Sequence, residues 1–200
     1  MSISIFYKKS VQYSATGENH FLSQYHYIGG YLMTEVKKYK MLINGSWTSG
    51  VDNKFFDSVN PYTAKVWCRV PEANSKDVEA AVESAHRAFS SGPWSKMTPT
   101  QRGGCLRRLA NLLSEMSEPL GKIETVDTGK MLKETRWQAK YIAEFFQFYA
   151  GCADKISGET LPIDKPDLFV FTEREPLGVV AAVVPWNSQL FLVAVKLGPA

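Results

Sequence analysis

Gly178-Val179-Val180-Ala181-Ala182-Val183-Val184-Pro185 is apolar on both faces of an extended chain. A strand of alternating pattern needs cover on one side only. This one needs it on both, which means helices above and below a mostly parallel sheet. The run falls far short of the roughly 20 residues that a bilayer span requires, so it predicts a buried strand and no membrane span. Pro185 ends the strand by removing a ladder N–H, and Gln189 to Leu197 reads as the next helix. A buried strand leading directly into a helix opens an open α/β sheet. No partner strand follows it before Gly198-Pro199-Ala200.

The stretch before this strand predicts strands, then helices. Met41-Leu42-Ile43 and Trp47-Thr48 flank Asn44-Gly45, a strong hairpin signal. Asn44-Gly45-Ser46 also fits the glycosylation pattern and is read here as the turn. Phe55 to Val59 reads as a strand closed by Asn60-Pro61, and Val66 to Val70 as a half-buried strand with Cys68 packed inward. Ser75 is expected to cap a helix with Val78, Ala81, Val82, Ala85 and Phe89 on its buried face, stopped by Gly92-Pro93. Thr98-Pro99-Thr100-Gln101 predicts a capping box. The helix it opens restarts at Ser117 and ends at Gly129. A third helix, from Glu134 to about Ala153, carries an aromatic stripe (Trp137, Tyr141, Phe145, Phe146, Tyr149) that spacing assigns to the core. Glu159 to Ile163 and Leu168 to Arg174 read as the arms of a ribbon.

Composition removes several function classes. The net charge is +3, with the basic residues interleaved with acids, so no nucleic-acid partner is expected. The three cysteines, Cys68, Cys105 and Cys152, include no Cys-x-x-Cys pair and no His at ligand spacing, which argues against zinc. They read as reduced thiols of an intracellular protein. Residues 1–40 hold Tyr7, Tyr13, Tyr25, Tyr27, Tyr31 and Tyr39 and no Arg. They read as a poorly ordered extension with Met33 as a natural start. A secretory signal would need a longer apolar core, and a mitochondrial transit peptide more Arg. The expected compartment is therefore the cytoplasm, with mitochondria as the alternative.

The chemistry gathers at Val184-Pro185-Trp186-Asn187, the carboxyl end of the buried strand, where open α/β sheets bind their ligands. A neutral amide such as that of Asn187 suits a developing oxyanion, because it donates a hydrogen bond without a charge to desolvate. The plainer alternative is that Asn187 caps the following helix.

Residues 41–200 resemble the amino-terminal part of the NAD(P)-dependent aldehyde dehydrogenase superfamily. The resemblance is carried by Leu42-Ile43-Asn44-Gly45-x-Trp47, Val59-Asn60-Pro61, Glu124-Thr125-x-Asp127-x-Gly129-Lys130, Tyr149-Ala150-Gly151-x-Ala153-Asp154-Lys155, Glu175-Pro176-x-Gly178-Val179, Pro185-Trp186-Asn187 and Lys196-Leu197-Gly198-Pro199-Ala200. It implies an incomplete open parallel-sheet, Rossmann-like α/β cofactor domain, with a helical amino-terminal part and an oligomerisation ribbon at about 156–175. It also implies oxidation of an aldehyde to a carboxylic acid with NAD or NADP, in a homodimer or homotetramer. Asn187 matches the asparagine that, with a backbone N–H, holds the thiohemiacetal oxyanion. Val184, Pro185 and Trp186, together with Asn187, match the edge of the dinucleotide cleft. Lys196 matches a helix lysine proposed to relay protons, the alternative being a lysine that stabilises its helix. Val59, through its carbonyl, and Asp127 match positions that hold a monovalent cation, the alternative for Asp127 being a helix-end carboxylate.

Two departures stand out. The aromatic or apolar residue and the Pro that follow the asparagine in the family are here Ser188 and Gln189. The family's nucleophilic Cys, general-base Glu, glycine-rich nicotinamide loop and ribose-contacting Lys all match positions beyond residue 200, and none of the three cysteines matches the nucleophile. The chain alone is therefore expected to be inactive. Two alternatives stand beside this one: a non-catalytic fragment acting in subunit pairing, and a parent that is a CoA-acylating semialdehyde dehydrogenase.

Overall fold

The computed structural model describes residues 36–200, so the expected extension lies almost wholly outside the described residues. In chain order the elements are β1 (Lys37–Lys38), β2 (Met41–Ile43), β3 (Ser46–Thr48), β4 (Phe55–Asn60), β5 (Lys65–Pro71), α1 (Ser75–Ser90), α2 (Pro93–Lys96), α3 (Pro99–Glu115), α4 (Ser117–Thr128), α5 (Leu132–Cys152), β6 (Thr160–Leu161), β7 (Val170–Phe171) and α6 (Gln189–Leu197). Strands β2 and β3 form the expected hairpin, with Asn44 at φ 51° and Gly45 at φ 73°. Both central residues in the left-handed region is what a two-residue turn matching the strand twist requires. Strand β5 pairs antiparallel with β4 and parallel with β1. The β4–β5 register slips between Ser58 and Val59, so Trp67 is the bulged residue between the pairs Ser58–Cys68 and Val59–Val66. Such a bulge re-aims a side chain, and its consequence appears at the site.

Helix α5 is the spine of the helical layer. Thr135, Ala139, Ile142, Ala143, Phe146 and Ala150 are buried along one face, at the spacing of a helix that packs against its neighbours. Ala110 of α3 and Ala194 of α6 close on Ile142 and Phe146, with Leu106, Leu109, Leu113 and Phe191 around them. Helix α3 opens on the predicted capping box: Gln101 donates its backbone N–H to Thr98 Oγ1, and Thr98 donates its own to Gln101 Oε1. Helix α4 ends at Gly129, which adopts φ 76°, a left-handed termination that costs glycine little. No described helix is long and apolar enough to cross a membrane.

Four expectations need correction. The cap of α1 is Asn74, not Ser75, and its buried face is Asp77, Ala81, Ser84 and Ala85, while Val78 and Val82 are half-exposed. The helix is rotated because Asp77 accepts the backbone N–H groups of Asn74 and Val51, which draws a carboxylate into the buried face. Trp137 is 61% exposed. Phe191 of α6 packs on Tyr141 and Phe145, and Trp137, one turn earlier in α5, is stacked on Tyr141. The ribbon is shorter than expected, with ladder pairs only at Thr160–Phe171 and Leu161–Val170. Residues 178–185 form no strand: Val180 is 53% and Val183 83% exposed. A strand exists only through hydrogen bonds to a neighbour, and among the described residues none lies alongside it.

Glu124 of α4 is buried, and among the described residues neither carboxylate oxygen has a hydrogen-bond partner. Burial pushes its carboxyl above the ordinary value of 4.5, an effect reinforced by Glu134 and Asp127 and opposed by Lys130. A raised carboxyl favours the folded state while it stays protonated. That stability is present in acid and is lost as pH rises through the folded value. Glu124→Met is therefore expected to raise the melting temperature more in mildly alkaline buffer than in acid, as thermal melts across pH would show. An equal gain at both would mean that the carboxylate carries no burial penalty.

Candidate active site

The site is built where the end of α4 meets the start of α6. Asp127 lies in the last turn of α4, and its carboxylate gathers three elements. Oδ1 accepts the Ser58 hydroxyl of β4 at 2.6 Å and the Trp67 indole N–H of β5 at 3.1 Å. Oδ2 accepts the Gln189 amide of α6 at 2.9 Å. The bulge in β5 is what brings the Trp67 indole onto the same carboxylate as Ser58, and the indole also donates to Ser58 Oγ at 3.0 Å. Three residues on, just past the end of α4, Lys130 Nζ donates to Gln138 Oε1 at 2.7 Å and to Ser188 Oγ at 2.9 Å, and pairs with Glu134 at 3.2 Å.

These contacts settle the start of α6. Its cap residue is Ser188, not Asn187. The Ser188 hydroxyl makes no capping bond to its own helix; it accepts Lys130 instead. Asn187 sits just before the cap, exposed, and among the described residues no hydrogen bond holds its side chain. Its neighbours differ in exposure: Val184 is half-buried, while Pro185 and Trp186 are exposed, Trp186 by 74%. Val184 to Asn187 thus present one open edge, leading into the positive end of a helix dipole.

The structure does not bring all of the expected site residues together. Lys196 is exposed in the last turn of α6. Nine residues of helix are about 13 Å long, so Asn187 and Lys196 lie at opposite ends. A cation near a helix C-terminus is favourable on its own account. Val59 follows Ser58 at the bulge and is 48% exposed. Asp127 faces hydrogen-bond donors, and the indole and amide N–H groups have no lone pair to offer a cation. The lone pairs nearest to that position are those of the Asp127 carboxylate itself and of Ser58 Oγ. Among the described residues no group of three or more His, Cys, Asp or Glu could hold a metal ion.

The three cysteines form no disulfide and are dispersed. Cys68 is buried in β5, Cys105 lies near Met97 and Arg108 in α3, and Cys152 ends α5. Sequence reasoning noticed Ser188 and Gln189 only as departures and passed over Lys130, Ser58 and Trp67 as site residues. The available signal was that two polar residues stand at a helix entry where an apolar residue and Pro are usual.

The sequence profile of the aldehyde dehydrogenase family matches residues 47–200. The chain is 48% identical to a (Z)-2-((N-methylformamido)methylene)-5-hydroxybutyrolactone dehydrogenase of Acinetobacter baylyi, over 82% of this chain and 33% of that protein. It is 41% identical to the mitochondrial aldehyde dehydrogenase of Rattus norvegicus, over 80% of this chain and 31% of that protein. Among solved structures, an NAD+ complex of an aldehyde dehydrogenase from Bacillus cereus superposes with a TM-score of 0.78 at 38% identity, covering 81% of this chain and 33% of that one. The chain spans about a third of the length of the curated relatives it matches.

Proposed function

This chain belongs to the aldehyde dehydrogenase family, and from that premise we propose that it forms the amino-terminal third of an enzyme that oxidises an aldehyde to a carboxylic acid with NAD(P)+. The observation that carries the proposal is the state of Asn187. Ser188 is the cap of α6, so the Asn187 amide is not spent on the helix. It stands exposed on the edge that leads into the helix's positive end. In the proposed reaction Asn187 donates its side-chain N–H to the oxygen that becomes negative when a nucleophile adds to the aldehyde carbonyl. Val184, Pro185 and Trp186 line the approach on the cofactor side. When bound, NAD(P)+ supplies the hydride acceptor. Lys196, at the far end of α6, serves its helix rather than the reacting atoms.

The nucleophile and the general base belong to the other two thirds of the proposed enzyme, and the chain alone is expected to be inert. Incubated with an aldehyde and NAD+, the isolated chain should form no NADH, whereas thiol-dependent NADH formation would show that one of its own cysteines is competent. The proposal itself is tested by a chimera in which residues 41–200 replace the matching third of the Acinetobacter baylyi relative. Aldehyde-dependent NADH formation supports it, and a folded but inert chimera contradicts it.

A second reading, subunit pairing, is favoured by the ribbon. Leu168, Phe169 and Phe171 are more than half exposed on a two-stranded element, and such elements are marginal alone in water. We propose that this arm packs against another copy in a dimer or tetramer. Three cysteines outside any disulfide suit a reducing compartment such as the cytoplasm.

A further inference from the structure

We infer that Gln189 and Ser188 are positioning residues for Asn187, holding it in place through side-chain hydrogen bonds to the end of α4 and to Lys130 just beyond it. The inference rests on the reading of Asn187 as the oxyanion donor. At this helix entry Pro, which the family resemblance places two residues after the asparagine, locks its own φ near −65° and restricts the residue before it. Gln189 has no such lock. In its place two consecutive residues are gripped by two residues three apart, Gln189 by Asp127 in the last turn of α4 at 2.9 Å and Ser188 by Lys130, just past the end of α4, at 2.9 Å.

Both grips are themselves held. Asp127 is fixed by Ser58 and Trp67. Lys130, with 18% of its side chain exposed, is fixed by Gln138 and Glu134. Ser188 gives up the capping bond that its hydroxyl ordinarily makes, so the Lys130 contact takes the place of a local stabilising interaction. Asn187 has no side-chain tether among the described residues, and its backbone lies in a turn, Trp186–Asn187, that leads directly into Ser188 and Gln189. The Asp127 carboxylate therefore orients α6 here through an amide.

The test uses ¹⁵N relaxation of Asn187 in the 200-residue chain. Rigid backbone gives an order parameter near 0.85 and flexible backbone below about 0.6. The unsubstituted chain should give the rigid value at Asn187. Gln189→Glu sets a carboxylate against Asp127 and should bring Asn187 to the flexible value. Adding Asp127→Asn to it restores an amide–carboxylate pair with the roles exchanged, and should restore the rigid value. Asp127→Asn alone should change little, because the Gln189 amide can turn its oxygen to accept. Should Gln189→Glu fail to fold, Gln189→Ala takes its place and should give the same loosening. A lower melting temperature with Asn187 still rigid would mean that Gln189 only ties helices together and would overturn the inference, as would a flexible Asn187 in the unsubstituted chain. Failure of the oxyanion reading shows elsewhere, in the turnover of the chimera.

Discussion

Phe146→Ala is expected to abolish cooperative folding of this chain at ordinary temperature. Phe146 is 2% exposed on the buried face of α5, in the cluster that joins α3 and α6 through Ala110, Ile142 and Ala194. Two of its three buried partners are alanines, whose side chains cannot swing into the space left behind. The cost of a buried Phe→Ala is about 3–5 kcal/mol, made up of the lost transfer energy and the residual cavity. A whole domain is stable by only about 5–15 kcal/mol. This chain also leaves Leu177 and Val183 more than four-fifths exposed, so its margin should sit at the low end. Thermal melts followed by circular dichroism should lose their sigmoidal transition. A melt that shifts by only a few degrees would place the centre of stability outside the α3–α5–α6 cluster.

The second large effect is on catalysis. In the chimera, Asn187→Ala removes an amide donor aimed at charge that develops only in the transition state. Losing one such donor costs on the order of 10²–10³ in kcat, about 2.7–4 kcal/mol. The KM should change little, because the interaction is weak with a neutral carbonyl and strong with an oxyanion. Asn187→Asp should be at least as harmful, since a carboxylate accepts hydrogen bonds and would repel the developing charge. Asn187→Gln keeps the donor but displaces it by a methylene, and should fall between.

Most of the local structure could be read from the sequence where short-range chemistry decides it. Asn44-Gly45 announced the β2–β3 turn, Thr98 and Gln101 the start of α3, and Gly129 the end of α4, because caps and turns depend on residues within a few positions of one another. The bounds of α6 were likewise visible in its apolar spacing. The rotation of α1 was not. Apolar periodicity pointed to Val78 and Val82, while the backbone N–H of Val51, 26 residues away, drew Asp77 inward. The fate of residues 178–185 was not legible for the opposite reason. Their pattern states what they need, a strand on either side, and no residue within them decides whether it is present.

The candidate site divides in the same way. Asn187 was legible because an amide at a strand end before a helix has a chemical use. The Asp127–Gln189 and Lys130–Ser188 contacts join residues 62 and 58 positions apart. No local pattern reports such a pairing, and only the departure from Pro at the helix entry hinted at it. Trp67 entered the site through a bulge that shifts the register by one residue, a detail below the resolution of alternation.

The central claim is that Asn187 of this chain stabilises an oxyanion, and the ratio of kcat between the chimera and its Asn187→Ala variant, followed as NADH formation at saturating aldehyde, tests it most directly. The predicted result is a fall on the order of 10²–10³ with KM nearly unchanged and both proteins equally folded. Equal turnover in the two proteins would contradict it.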